Sequence, residues 1–210
     1  MSNPDLSRSA EEHLRTIRSL MERATIYRAI STGPALVAGL LGTGLGIWQM
    51  RGAESLSSRG FLLWWLGAMA VVGAVNTWVL LREARGRGMP FPSPATRQGM
   101  RTLLPPMLAC GVSGVVLCGW SGEPVTGALL WVLGYGLGLV ATAGFAPRSI
   151  KALGWAFVVA GVAGFFWREL RGIEPGDAGE AARIMAVTFG GFHLVYAVRT
   201  GWWKRSGQSE

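Results

Sequence analysis

Few side chains within the long apolar stretches of this chain could do chemistry. Asn76, Tyr135, His193 and Tyr196 form the candidate polar set, beside Thr43, Gln49, Thr77, Ser113, Thr142 and Thr188. An ionisable group in such surroundings is expensive, so it marks either a proton or ligand path or a fixed hydrogen bond between helices. His193 is the one imidazole there, because His13 lies in the charged N-terminal segment. The expectation is a structural hydrogen bond for His193, with Asn76 as a candidate neighbour. With the two histidines so far apart, paired-histidine haem ligation within one chain is not expected, which leaves a haem shared between protomers or with another subunit. Cys110 and Cys118 are eight residues apart in one stretch, a rise of about 12 Å on a helix. That exceeds what a disulfide spans, so both read as small buried hydrophobes. Gly42-x-x-x-Gly46, Gly134-x-Gly136-x-Gly138, Gly161-x-x-Gly164 and Gly190-Gly191 lack the strand, loop and lysine of a phosphate cradle. They read as sites of close helix approach in lipid. No cofactor, metal or catalytic set is expected.

The elements that must position these residues are six apolar stretches, about 30–50, 61–81, 103–120, 125–145, 150–167 and 181–201. Each approaches the ~20 residues that cross a ~30 Å hydrocarbon layer as a helix. The fold class is therefore all-α: a polytopic six-helix transmembrane bundle preceded by an amphipathic cytoplasmic helix. Half of the residues are hydrophobic and only 15% charged, too few charges to cover a soluble surface of this size. The organisation is an N-terminal helix over 1–29, a membrane domain over 30–201 and a short cytoplasmic tail over 202–210.

Basic residues near span ends stay on the cytoplasmic side, and here they alternate. Arg8, Arg15, Arg18, Arg23 and Arg28 precede the first stretch. Arg82, Arg85, Arg87, Arg97 and Arg101 lie between the second and third, Arg148 and Lys151 between the fourth and fifth, and Arg199, Lys204 and Arg205 at the end. These are fifteen of the twenty basic residues, so both termini are expected in the cytoplasm. The net charge of +8 is then topological, which argues against nucleic acid as a partner and for contact with anionic headgroups. Tryptophan prefers the interface: Trp48, Trp64, Trp65, Trp120 and Trp167 fall near the outer ends, Trp78, Trp155, Trp202 and Trp203 near the inner ends, and Trp131 deeper. No cleavable signal is read in the charged first residues, so the first span is expected to remain as an anchor. Eighteen arginines against two lysines, with abundant alanine and glycine, suggest a GC-rich bacterial genome and a bacterial inner membrane.

Ser9-Ala10-Glu11-Glu12 reads as a capping box. Beyond it Leu14, Ile17, Leu20, Met21, Ala24 and Tyr27 fill one helical arc and Arg15, Arg18, Glu22 and Arg23 the other. Such a helix can lie in the headgroup layer, pack on its own bundle or meet a partner. Ser31-Thr32-Gly33-Pro34 marks a break before the first span. The arginine-rich connection 82–102 holds Gly86, Gly88, Pro90, Pro92 and Pro94 and reads as a tether or a docking segment. Arg15, Arg18, Arg23, Arg85 and Arg87 are the candidate docking residues. The acids Glu169, Glu174, Asp177 and Glu180 surround Pro175-Gly176 without calcium-loop spacing and read as a solvated turn.

Two resemblances bear on function. Six spans, Gly111-Val112-Ser113-Gly114 and His193 in the last span resemble rhomboid intramembrane proteases, which implies a serine nucleophile activated by histidine. Here the serine lies on the third span rather than the fourth. Its expected depth is about 10 Å against about 18 Å for His193, whereas such a pair must approach to ~3 Å. The segments Glu12-His13-Leu14-Arg15-Thr16-Ile17-Arg18-Ser19-Leu20-Met21-Glu22-Arg23-Ala24 and Phe145-Ala146-Pro147-Arg148-Ser149-Ile150 resemble those of bacterial multi-pass proteins to which no activity is assigned. That likeness implies the membrane class and nothing finer.

Three functions stand open. The leading one is a non-enzymatic accessory, scaffold or regulatory subunit that associates with the bilayer and with a membrane-protein partner or a second copy of itself. The alternative is a small-molecule or lipid transporter whose cavity Asn76, Tyr135, His193 and Tyr196 would line. The third is a rhomboid-like serine protease acting through Ser113. The charge pattern itself yields a test of topology: reporter fusions at either terminus should read cytoplasmic, and one inserted within 168–180 should read on the opposite side. Any other combination would invert or break the span count.

Overall fold

The computed structural model describes residues 11, 13–17, 32–52, 56–86, 88 and 90–206, with side chains described at all of these except 94, 95 and 202–206. The elements are α1 (Thr32–Arg51), α2 (Ser58–Gly86), α3 (Pro94–Val116) with a π-helical extension Leu117–Ser121, α4 (Pro124–Ala141) with a terminal 3-10 turn Thr142–Gly144, and α5 (Arg148–Arg171). The last rod consists of α6 (Ala178–Met185), a π-helical segment Ala186–Phe192 and α7 (His193–Ser206). No strand occurs among the described residues. The chain is an all-helical protein in which five helices are long and apolar enough to cross a membrane: α2, Thr96–Ser121, Pro124–Gly144, α5 and Ala178–Gly201. It is a multi-pass membrane protein.

The first predicted stretch differs from the rest. It forms α1, but α1 does not reach the same apolarity among the described residues. Gly33, Gly39, Gly42, Gly44 and Gly46 contribute almost nothing to apolar transfer, and Gln49 subtracts from it. Of the amphipathic N-terminal segment, residues 13–17 are helical, and Leu14 and Ile17 are exposed rather than packed. The capping box at Ser9, Ala10 and Glu12, the arc residues Leu20, Met21, Ala24 and Tyr27, and the break at Ser31 lie outside the described residues.

Local chemistry sets the helix ends. The Ser93 hydroxyl accepts the Thr96 amide at 3.1 Å and Pro94 opens α3, where its missing N–H costs nothing. Gly122 at φ 71° and Gly172 at φ 59° turn the chain after α3 and α5, a backbone that glycine adopts without strain. The Asp177 carboxylate accepts the Glu180 amide at 2.8 Å and caps α6.

Successive rods run antiparallel, and α4 is central. It packs most extensively against α5 and α3, while α1 lies along the α6–α7 rod. Helices approach closely in lipid only where side chains are small, and the glycines stand at these crossings. A Cβ at Gly136 would lie 2.6 Å from the Val158 amide nitrogen and 2.9 Å from the Gly154 carbonyl of α5. A Cβ at Gly161 would lie 3.1 Å from the Leu133 side chain.

Hydrogen bonds between rods gather at the end opposite the termini. Arg59 Nε donates to the Gly119 carbonyl at 3.3 Å and the Ser58 hydroxyl to the Gly122 carbonyl at 3.4 Å, tying the start of α2 to the end of α3. The Val125 amide donates to the Pro175 carbonyl at 3.1 Å, and an Arg168 guanidinium nitrogen donates to the Thr126 hydroxyl at 3.2 Å. At this end α2 buries Phe61, Leu62 and Trp65 and fully buries no residue further along. Its second half is therefore half-buried or exposed throughout, and α3 exposes the face turned away from α4.

Overfilling the α4–α5 crossing should show directly. Gly136→Ala is expected to destabilise the protein by about 1–3 kcal/mol, read as a fall in thermal midpoint in mild detergent. Gly67→Ala on α2, where a Cβ meets nothing within 4 Å, should leave the midpoint unchanged. Equal midpoints for the two variants would mean that the crossing is not so tight.

Candidate functional site

The π-helical segment builds the site. Such segments bond residue i to i+5 and occur as insertions within α-helices, often where side chains are presented for function. Gly190 sits inside this one, and α1 presses against it. A Cβ at Gly42 would lie 3.0 Å from the Gly190 nitrogen, and one at Gly190 would lie 2.7 Å from the Thr43 nitrogen. With α1 backing the segment, Phe189 and the first residue of α7, His193, meet Tyr135 of α4 and Phe157 of α5.

His193 is buried and both of its ring nitrogens are engaged. Nδ1 lies 2.8 Å from the Phe189 carbonyl one turn back, and Nε2 lies 2.9 Å from the Tyr135 hydroxyl. A carbonyl can only accept, so Nδ1 carries a proton. In the neutral ring Nε2 then accepts, and the Tyr135 hydroxyl donates to it. The carbonyl thus fixes the tautomer, and the tautomer fixes the direction of the bond between α4 and α7.

Rings fill the surroundings. Tyr135 lies 4.8 Å from Phe157 and 5.2 Å from Phe189 between centroids, and Phe157 lies 5.1 Å from Phe189 and 5.2 Å from Phe192. The edge-on arrangements of Phe157 suit aromatic quadrupoles, and Phe157 itself is fully buried. Tyr196 lies buried in the same core, with its backbone carbonyl accepting the Thr200 hydroxyl at 2.8 Å.

The proposed polar set is thus divided. Tyr135 and His193 form a bonded pair, with Tyr196 in the core beside them. Asn76 is half-buried on α2, past the last residue which that helix buries, and the nitrogens of His193 are committed elsewhere. Ser113 is exposed on α3, so no serine–histidine pair forms. The neighbouring Gly111 carbonyl accepts the Trp131 indole N–H at 3.1 Å, which accounts for that deep tryptophan. Of the candidate docking residues, Arg15 and Arg85 are exposed, whereas Arg18, Arg23 and Arg87 lie outside the described residues. The acidic turn is occupied internally: Asp177 caps α6, Glu180 pairs with Arg183, and Glu169 lies 3.8 Å from Arg168. Among the described residues no group of side chains could hold a metal ion.

One buried polar pair was not read from the sequence. Gln49 of α1 is 1% exposed, and its carbonyl oxygen accepts the Trp65 indole N–H of α2 at 2.8 Å. Position near a span end places Trp65 at the interface, whereas the structure buries it against Gln49. The available signal was the glutamine, an amide near a span end that needs a partner when buried. Among the described residues its Nε2 and the Thr43 hydroxyl have no hydrogen-bond partner.

Removing the hydroxyl tests the central bond. Tyr135→Phe is expected to cost about 1 kcal/mol, in the range measured for hydrogen bonds between membrane helices. In a double-mutant cycle with His193→Phe the two effects should not add. Additive effects on reversible unfolding in detergent would mean that the pair is not formed.

No protein-family model matches the chain, and neither does any curated protein or solved structure, so its residues alone carry the functional reading.

Proposed function

We propose that this chain is a non-enzymatic membrane subunit, an accessory, scaffold or regulatory component that works by association. The observation that carries this reading is the state of His193, the one imidazole in the apolar helices. Both its nitrogens are spent on Phe189 and Tyr135 inside a core filled with rings. A transport site needs polar groups turned towards a path for substrate, and a hydrolase needs a base within reach of its nucleophile. Here the polar groups face each other, and the serine is on another surface. The glycine crossings and the bare faces of α2 and α3 favour helix association.

In this reading α1 is a sixth span, held in the membrane by its packing along α6 and α7 despite its glycine content. Both termini lie in the cytoplasm of a bacterial cell, and the N-terminal helix rests on the inner leaflet. Leu14 and Ile17, being exposed, are available to lipid or to a partner. Arg15, Arg18, Arg23, Arg85 and Arg87 make up the cytoplasmic docking face.

Purification of the full chain from its source membrane in native nanodiscs, followed by mass spectrometry, should return a reproducible partner protein or a second copy in fixed stoichiometry. A lone chain that retains one small molecule would overturn the proposal in favour of transport.

A further inference from the structure

A cavity of about 400 Å³ opens at the start of α3, lined by Arg97, Gln98, Arg101 and Thr102. Among the described residues neither arginine side chain forms an ion pair or a hydrogen bond. The Thr102 hydroxyl is turned inward, donating to the Gln98 backbone carbonyl at 2.9 Å, so the cavity presents two guanidinium groups and a side-chain amide. Among the described residues no acid neutralises these two cations, and their complement is an anionic oxygen cluster. Arginine meets phosphate with a planar fork of N–H groups, the geometry that suits such a cluster.

The surface below the cavity limits what carries the anion. At 100° per residue, Arg97, Arg101, Leu104, Leu108 and Val112 fall within an arc of about 80° on α3. Leu104, Leu108 and Val112 are 50%, 53% and 59% exposed. From Arg101 to Val112 this stripe descends about 16 Å, close to half of the ~30 Å hydrocarbon layer. A headgroup at the arginines therefore places an acyl chain along the leucines within one leaflet. A free phosphate would use the donors and leave the stripe without a role. We infer that the face of α3 from Arg97 to Val112 is a binding site for an anionic phospholipid, its phosphate held by Arg97 and Arg101 and its acyl chain lying along Leu104, Leu108 and Val112. The inference requires that α3 span the membrane and is independent of any protein partner, so it and the subunit proposal fail separately.

The test is native mass spectrometry of the full chain, delipidated in mild detergent and titrated with phosphatidylglycerol or phosphatidylcholine of matched acyl chains. The first phosphatidylglycerol should bind in clear preference to phosphatidylcholine. That preference should fall roughly fivefold for Arg97→Gln or Arg101→Gln and roughly 25-fold for both, from the contribution of a basic side chain to anionic-lipid binding. Arg59→Gln, at the other end of the bundle, should leave it unchanged. Because Arg97 and Arg101 are exposed, an unaltered thermal midpoint is expected and is measured alongside. Equal binding of the two lipids by the wild-type chain, or full preference in the double variant, would overturn the site. Displacement of the lipid by millimolar inorganic phosphate would also overturn it, by showing that the acyl stripe adds nothing.

Discussion

Everything in this fold depends on how closely two helices can approach when no water is expelled between them. In lipid the apolar faces of helices gain little by meeting, and association rests on van der Waals contact and on hydrogen bonds at short range. The chain meets that constraint with glycine. At Gly136, Gly154 and Gly161 the α4 and α5 backbones come so near that an added Cβ would strike main-chain atoms or a neighbouring Cβ. The same holds for α1 against the last rod at Gly42 and Gly190. These contacts make α4 the centre of the bundle and bind the glycine-rich α1 to it through α6 and α7.

The polar core follows from that approach. Because α1 supports the π-helical segment at Gly190, Phe189 and His193 are carried to α4 and α5, where Tyr135 completes the bonding of the imidazole. A buried hydrogen bond in an apolar medium stabilises most when no partner is left over, and His193 leaves none. The pair at Gln49 and Trp65 is less complete, since Gln49 Nε2 has no acceptor among the described residues. The two polar pairs are thus unequal. One closes the centre of the bundle, and the other joins α1 to α2 near the end where the inter-rod hydrogen bonds gather.

The class of the fold was legible in the sequence because apolar length and the confinement of charge to the gaps are one-dimensional properties. The glycine pairs were legible as packing sites for the same reason: a small residue in a span has few other uses. The partner of His193 was not legible. Asn76 and Tyr135 lie on the second and fourth stretches with similar claim by depth, and the choice depended on α2 burying no residue fully beyond Trp65. Nothing in residues 66–86 announces that, because an exposed helix face and a packed one can carry the same apolar residues. The π-helical shift at 186–192 was hidden too, since it changes the hydrogen-bond register without altering the composition. The first stretch reads as a span like the others, and the shortfall of α1 comes from its glycines, which shorten the distance between helices while they weaken the transfer energy that identifies a span.

The uneven bracing of the bundle connects these features. At one end Ser58 and Arg59 tie α2 to the end of α3, and Val125 and Arg168 tie α4 to α5 and to the turn at Pro175, and the aromatic core lies between α4, α5 and the last rod. At the other end α2 buries no residue fully, and α3 carries prolines at 105 and 106, which remove the amides that would meet the carbonyls of Arg101 and Thr102. Regions with few buried contacts are the least stable parts of a fold. The position of α2 beyond Trp65 is accordingly set by what surrounds it more than by what it packs upon. On the proposed reading the protein works by association, which needs one part rigid enough to hold a shape and another free to be completed by its neighbours. The bundle offers both along its length, with glycine crossings and the Tyr135–His193 bond holding the first, and the exposed faces of α2 and α3 providing the second.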